Sequence, residues 1–408
     1  MSAGEVYHQV EYELTREIGG KVDESTFKRV CLLVTGIIGA KNASPAQVSK
    51  ALERLKLSGA SAESLERQVR RMENDKEITA ALCFHPFARA HLRYGHPQEL
   101  VLILDPTTQE DKIVMVSVAV WYRGRALPLA WATWKANSPL EGARFWERID
   151  QLLGEVKPLL PVNTAITVLA DRAFGCAAFT DLLVKRGWHY VVRVQGQVIC
   201  CDQQGRQRSA ASMVPYRGRR AKLKGKVFKK IGWRNASVVC YWGRRHKTPL
   251  CLVSDLPPHW HLIHLYRRRY PIEATFRDYK SLGWRWEQGQ VKDLEHVNRL
   301  LVAMALATWF VLIVGSWKAQ QILAVPPTGN RRTTPWAGKM SLFGHGLNTL
   351  QAWLGVQSLP TFFWRLSDWL APNWKHQITC FHARAFIFSQ CSGLFLSDSS
   401  SRFPPVRP

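Results

Sequence analysis

ELVLILD (99–105), DKIVMVSVAVWYRG (111–124) and RALPLAWATWKA (125–136) read as three successive β-strands, the first of them ending on an acid. The second and third are dense in Val, Trp and Tyr and join at Gly124, as the arms of a hairpin do. Working outward, PLEGARFWERIDQLLGEV (139–156) spaces its Leu, Phe, Trp and Ile at the helical period. TAITVLAD (164–171) is another apolar strand ending on an acid. AAFTDLLVKRG (177–187) is a helix stopped by Gly187, and WHYVVRV (188–194) is a strand. Three strands, a helix, a strand, a helix and a strand predict an α/β domain with an RNase H-like mixed sheet, whose first part covers 93–196.

Residues 197–247 interrupt this alternation. Between 201 and 250 stand 14 Lys or Arg against a single Asp, yet Val227, Phe228, Ile231, Val238, Val239 and Tyr241 are interspersed. That much β-branched and aromatic content predicts a small basic β insertion rather than disorder. TPLCLVSD (248–255) returns to strand character, a long helix should follow from about 258, and this second part of the α/β domain runs to 318. Upstream, residues 1–92 read as an all-α domain. Ser44-Pro45 supplies an N-cap and a first-turn proline for SPAQVSKALERL, and Ser61 caps AESLERQVRRM after a turn holding Gly59. Two short helices so joined resemble a helix-turn-helix carrying Arg67, Arg70 and Arg71; a helical bundle with a solvated basic face reads the same. Residues 319–408 read as linker and tail, partly disordered, and PPTGNRRTTPWAGK (326–339) is the linker.

Composition narrows the partners. The 408 residues carry 56 Lys+Arg and 31 Asp+Glu, a net charge of +25. Such a surplus predicts a polyanion, double-stranded DNA before an anionic membrane. The nine cysteines form no CxxC pair, and Cys380-x-His382 alone is a poor zinc signal, so reduced thiols in the cytoplasm are expected. The N-terminus is polar and lacks a signal-peptide pattern. Leu300–Trp317 holds 18 residues without a charge. That is the lower limit of a membrane span, but a single such stretch in so basic a chain reads as a buried core helix, with no membrane partner.

The chemistry-bearing residues are carboxylates. Asp105 ends LVLILDPTT and Asp171 ends ITVLAD in front of Arg172. An acid that terminates an apolar strand is a costly place for a charge, although either alone reads equally as a turn residue. The segment YRRRYPIEATFRDYK (266–280) fits YxxRxxxExxxxxxK through Tyr266, Arg269, Glu273 and Lys280, a coincidence of roughly a few per thousand in random chains. On one unbroken helix Arg269, Glu273, Arg277 and Lys280 share a face, as a phosphate clamp or a solvated salt-bridge stripe would. Pro271 would kink that helix or start it. Asp111, Asp181, Asp278, Glu287 and Glu295 complete no such pattern.

With Asp105-Pro106-Thr107, Asp171-Arg172-Ala173-Phe174 and the signature in place, residues 95–318 resemble the DDE transposases of bacterial insertion sequences, in the group with this tyrosine-arginine-glutamate-lysine signature and a β insertion before the glutamate. The resemblance implies that Asp105, Asp171 and Glu273 hold two Mg²⁺ (or Mn²⁺) ions for cleavage and strand transfer at the element's ends. It implies DNA contacts from Tyr266, Arg269, Arg277, Lys280 and Arg172. The basic insertion adds Lys222, Lys224, Lys229 and Lys230, and Trp242 is a stacking candidate for a flipped base or else insertion core. A homodimer on paired ends is implied as well. The alternative is a DNA-binding protein derived from a transposase but without catalysis. If Arg269 clamps a phosphate, its removal should slow cleavage while leaving thermal stability nearly unchanged.

Overall fold

The computed structural model describes residues 2–57, 59–94, 97–110, 112–289, 291, 293–324 and 340–355. It is a mixed α/β structure that divides into two compact units.

The first unit takes the N-terminal helices, Pro106–Val162, and the described chain from Pro271 onward. Helices α1 (Ser2–Ile18), α2 (Glu24–Ala40), α3 (Pro45–Arg54), α4 (Ala62–Asn74) and α5 (His85–Arg93) make 1–92 helical, but they share this unit with the β2–β3 hairpin and later helices and do not stand apart as an all-α domain. Their starts follow the sequence signals. Asp23 accepts from the Ser25 and Thr26 amides at 2.7 and 3.0 Å, and Ser44 and Ser61 cap α3 and α4. Strands β2 (Ile113–Tyr122) and β3 (Arg125–Lys135) form the hairpin foreseen at Gly124, with a bulge between Val118 and Ala119, beside Pro128. Helix α6 (Gly142–Val156) packs on β3.

The apolar stretch 300–317 lies within α10 (Leu294–Ala324), which packs on β3, α2 and α4 and whose most apolar 18-residue window is 94% buried. Its polar atoms are met inside the unit. Trp309 Nε1 donates to Pro128 O at 2.8 Å, and Thr308 Oγ1 accepts from Trp284 Nε1 at 2.9 Å. Helical structure runs past the expected boundary at 318, because α10 ends at Ala324 and α11 (Leu342–Gly355) packs along it. The two helices meet at glycines: a Cβ on Gly346 would stand 1.8 Å from Val311 O, and one on Gly315 2.0 Å from Leu342 O. Residues 356–408, including Cys380 and His382, lie outside the described residues, as does Asp111.

The second unit takes Gln98–Asp105 and Asn163–Tyr270. Its strands are β1 (Glu99–Gln109, of which 99–105 belong here), β4 (Ala165–Ala170), β5 (His189–Arg193), β6 (Ile199–Asp202), β7 (Gln207–Ser209), β8 (Arg220–Val227), β9 (Arg234–Tyr241) and β10 (Leu250–Ser254). They lie in the order β1-β4-β5-β10-β9-β8-β6-β7. β1, β4 and β5 are parallel, and α7 (Ala177–Lys185) connects the last two; from β10 outward every pairing is antiparallel. The expected basic β insertion is therefore strand-rich, but it does not form a separate sheet. β9 pairs with β10 from Leu250↔Tyr241 to Ser254↔Ser237, so the insertion extends the sheet that β1, β4 and β5 begin.

Candidate active site

The parallel register assembles one row of charge. Leu104 pairs with Ala170, and Ala170 with Val192, so the residues that follow, Asp105, Asp171 and Arg193, stand side by side where the parallel pairing stops. β1 itself does not end on Asp105, as the sequence suggested, but runs on to Gln109. Neighbouring strands lie about 5 Å apart, so the two acids hold adjacent backbone positions. Open α/β sheets bind ligands at this edge.

Each acid is held by named partners. Asp105 is buried (7% exposed), and Arg269 Nη1 donates to its Oδ2 at 2.7 Å. The Arg269 guanidinium is itself buried. It lies 5.1 Å from the Tyr270 ring centroid and 6.0 Å from that of Tyr266. Asp171 is half-buried; Tyr266 donates its hydroxyl to Oδ1 at 3.3 Å, and Arg193 Nη1 is 3.8 Å away. Burial, with the Asp171 charge adding to it, drives the Tyr266 phenol well above its ordinary range despite the opposing pull of Arg269. Tyr266 therefore stays protonated as a donor. Gly175 closes the turn after Asp171, where a Cβ would sit 2.3 Å from Arg193 O, so this turn lies against the end of β5.

Glu273 belongs to the first unit and is half-buried on α9 (Pro271–Arg277). Here the structure corrects the single-helix expectation. The chain runs as α8 (His261–Tyr266), a 3₁₀ turn over Arg267–Arg269, α9, and a π-helical turn over Asp278–Leu282. Proline lacks the amide that would continue α8, and α9 begins with it. Arg269, Glu273, Arg277 and Lys280 therefore occupy three different elements and do not form one helical stripe. α9 is tied to β3 twice over. Thr275 Oγ1 donates to Ala126 O at 2.9 Å, and just past the helix Asp278 forms a buried ion pair with Arg125. Arg277 is exposed, and Lys280 reaches Glu287 at 3.8 Å.

The remaining candidates are distributed as follows. Arg172 is exposed in the 3₁₀ turn after Asp171. Trp242 is half-buried and donates Nε1–H to His246 O at 3.0 Å. Lys222 and Lys224 are exposed on β8, Lys229 and Lys230 on the turn after it, and Arg67, Arg70 and Arg71 on α4, where Arg70 pairs with Glu66. Sequence reasoning missed Arg193, Tyr270 and the Arg125–Asp278 pair. Arg193 did leave a trace, as the one charge at the end of an otherwise apolar VVRV.

No group of three or more His, Cys, Asp or Glu side chains gathers into a metal cage among the described residues. Mg²⁺ asks for less: one or two carboxylates, with its other positions left to water and phosphate. Asp105 and Asp171 fit that requirement in donor chemistry and in their adjacent register positions.

Residues 147–310 match the family model for the transposase DDE domain, a span that includes Asp171 and Glu273 and covers less than half of the chain. The match supports a DDE transposase. No curated protein matches the chain. Among solved structures, a human ENDOV crystal structure aligns over 48% of this chain and 95% of its own, at 14% identity and a TM-score of 0.24, too slight a likeness to bear on fold or function.

Proposed function

We propose that this chain is a DDE transposase of a bacterial insertion sequence, built on an RNase H-like sheet, that cuts double-stranded DNA at the element's ends and joins the 3′-OH to a target. The observation that carries this is the in-register row of Asp105, Asp171 and Arg193, with Arg269 clasping the first acid and Tyr266 the second. Adjacent hard carboxylates beside fixed cations and a protonated phenol suit a phosphodiester substrate that carries charge into the reaction.

Asp105 and Asp171 would hold the metal, and by the resemblance Glu273 would be the third carboxylate. Mg²⁺ (or Mn²⁺), when bound, would supply activation of the attacking oxygen and stabilisation of the leaving one. The chain's own residues do the rest. Arg269 balances the buried Asp105 charge and fixes its orientation. Tyr266 directs Asp171 through its hydroxyl. Arg193 neutralises Asp171 from the neighbouring strand and offers charge to phosphate. Arg277, exposed one turn beyond Glu273, and Arg172, exposed beside Asp171, meet the DNA backbone. The insertion adds a sequence-independent grip through Lys222, Lys224, Lys229 and Lys230, and α4 adds Arg67, Arg70 and Arg71. Two copies bring two ends together in the cytoplasm.

The test is incubation of the purified chain with duplex DNA from the ends of its own element and Mg²⁺, resolving nicked, hairpin and joined products. Strand cleavage at the element boundary supports the proposal. Tight, specific end binding with no cleavage in Mg²⁺ or Mn²⁺ would replace it with the non-catalytic reading.

A further inference from the structure

The β8–β9 hairpin has a tip that DNA cleavage does not explain. Between Val227 and Arg234, the last register pair, the chain turns through Phe228, Lys229, Lys230, Ile231, Gly232 and Trp233. Ile231 is 66% exposed at this apex, with exposed Lys229 and Lys230 immediately before it. An isolated exposed aliphatic residue is ordinary on a protein surface. This one stands on a stiff and strongly cationic mount.

Stiffness comes from both flanks of the turn. Phe228 takes the left-handed conformation (φ 65°) and is buried to 8%, so it anchors the first side of the turn. On the other side Arg234 makes a two-pronged ion pair, its Nε and Nη2 donating to Asp181 Oδ1 and Oδ2 at 2.8 and 2.9 Å, which ties the hairpin to α7. The apex is therefore held in place by packing and by charge on its two sides.

Charge leads up to the tip. On β8 the exposed residues alternate with half-buried ones, so Arg220, Lys222, Lys224 and Lys226 line one face. Successive members stand about 7 Å apart along the strand, and the row spans about 20 Å. Arg220 and Lys222 lie over the half-buried Trp260 ring, at 5.0 and 5.8 Å from its centroid. A file of cations that ends in two lysines and a bare aliphatic side chain complements a duplex. Phosphates take the file, and an apolar wedge between base steps kinks the helix from its minor groove.

We propose that the β8–β9 hairpin is a DNA-bending arm whose Ile231 wedges into a base step of bound duplex while Lys229 and Lys230 grip the flanking phosphates. This rests on the DNA-binding reading above and deepens it, since it assigns the insertion a distortion of the substrate as well as affinity.

The experiment measures end-to-end energy transfer in a short duplex labelled at both termini, together with 2-aminopurine fluorescence at successive steps, for wild type, Ile231→Ala, Ile231→Phe and the double change Lys229→Gln/Lys230→Gln. All substitutions are at exposed positions and should leave folding intact. Wild type should bend the duplex by roughly 20–90° and unstack one step. Ile231→Ala should bind within about threefold of wild type yet lose the bend and the fluorescence rise, and Ile231→Phe should restore both. The lysine pair should lose affinity and salt dependence. Unchanged bending by Ile231→Ala overturns the wedge alone. Absence of DNA binding by wild type overturns the functional reading and the wedge with it. Loss of self-association by Ile231→Ala, with bending intact, would make the tip a protein contact instead.

Discussion

Removing the Arg269 side chain tests the reading of the site in one step, and the structure sets the size of the effect. Arg269 and Asp105 are 2.7 Å apart, with side chains 7% and 10% exposed. A surface pair one helical turn apart would be worth a few tenths of a kcal/mol. Breaking a buried pair by removing one partner instead strands the other charge, at ~3–5 kcal/mol. The aromatic faces of Tyr266 and Tyr270 add to this cost. At ~2–4 °C per kcal/mol for a unit of this size, Arg269→Met should lower the melting temperature by ~6–20 °C. This revises the expectation, drawn from an exposed clamp, that stability would hardly change. Arg269→Lys keeps a charge without the planar fork and should fall between wild type and Met. Asp105→Asn combined with Arg269→Met should recover part of the loss, because the stranded carboxylate is gone; the coupling is read from a double-mutant cycle by calorimetry. Wild-type melting of Arg269→Met would refute the buried clasp and return Arg269 to a solvated role.

Further perturbations probe other parts of the molecule. Replacing Arg220, Lys222, Lys224 and Lys226 with Gln should weaken binding to all duplex sequences alike and reduce the salt slope of log K by about 0.9 for each phosphate left without its cation; an unchanged slope would leave the stripe merely solvated. Gly346→Ala places a Cβ against Val311 O, a backbone atom, and should destabilise the first unit by ~1–3 kcal/mol in thermal melts. Burial holds the imidazoles of His91 and His85 down to about 4, and His91 is further enclosed by Phe87 and Trp309 while its Nδ1–H donates to Phe87 O at 2.8 Å. Since an unfolded histidine titrates near 6.5, unfolded chains bind the extra protons between these values. Stability is then complete above pH 6.5 and falls as pH drops to about 4, by ~3 kcal/mol for His91; His91→Phe should flatten that dependence in pH-resolved melts.

The strands were legible because their apolar runs end in Gly or acid, and Asp171 does follow the end of β4, whereas β1 continues through Asp105 to Gln109 because the polar residues after an apolar run can stay extended. What the one-dimensional pattern lacks is register. That Asp105, Asp171 and Arg193 fall into one row depends on Leu104 meeting Ala170 and Ala170 meeting Val192. A lone arginine at the end of VVRV belongs to no motif. The helix 266–280 went astray at Pro271, where the periodicity continues while the hydrogen bonding cannot, so a shared face was inferred for residues that occupy three elements. Neither sequence reading of Arg269, a phosphate clamp or a solvated stripe, includes its burial against Asp105, because spacing shows which side of a helix a residue takes and is silent on what covers that side. α11 escaped notice for a similar reason. LFGHGLNTLQAWLG carries glycines that depress helix propensity, and the close approach of its Gly346 to the α10 backbone accounts for that one only once α10 lies alongside.

Single-turnover cleavage of pre-bound end DNA in Mg²⁺ by wild type, Asp105→Asn and Asp171→Asn tests the central claim most directly. Asn preserves the volume of each acid and removes its charge. Asp171→Asn should bind the ends with near wild-type affinity, while Asp105→Asn also strands the buried Arg269 charge, so its rate is read only on the folded, DNA-bound fraction. The account predicts cleavage by wild type and a loss of 10³-fold or more, to order of magnitude, in each variant. Cleavage at the wild-type rate by Asp171→Asn, on DNA bound equally well, would contradict it.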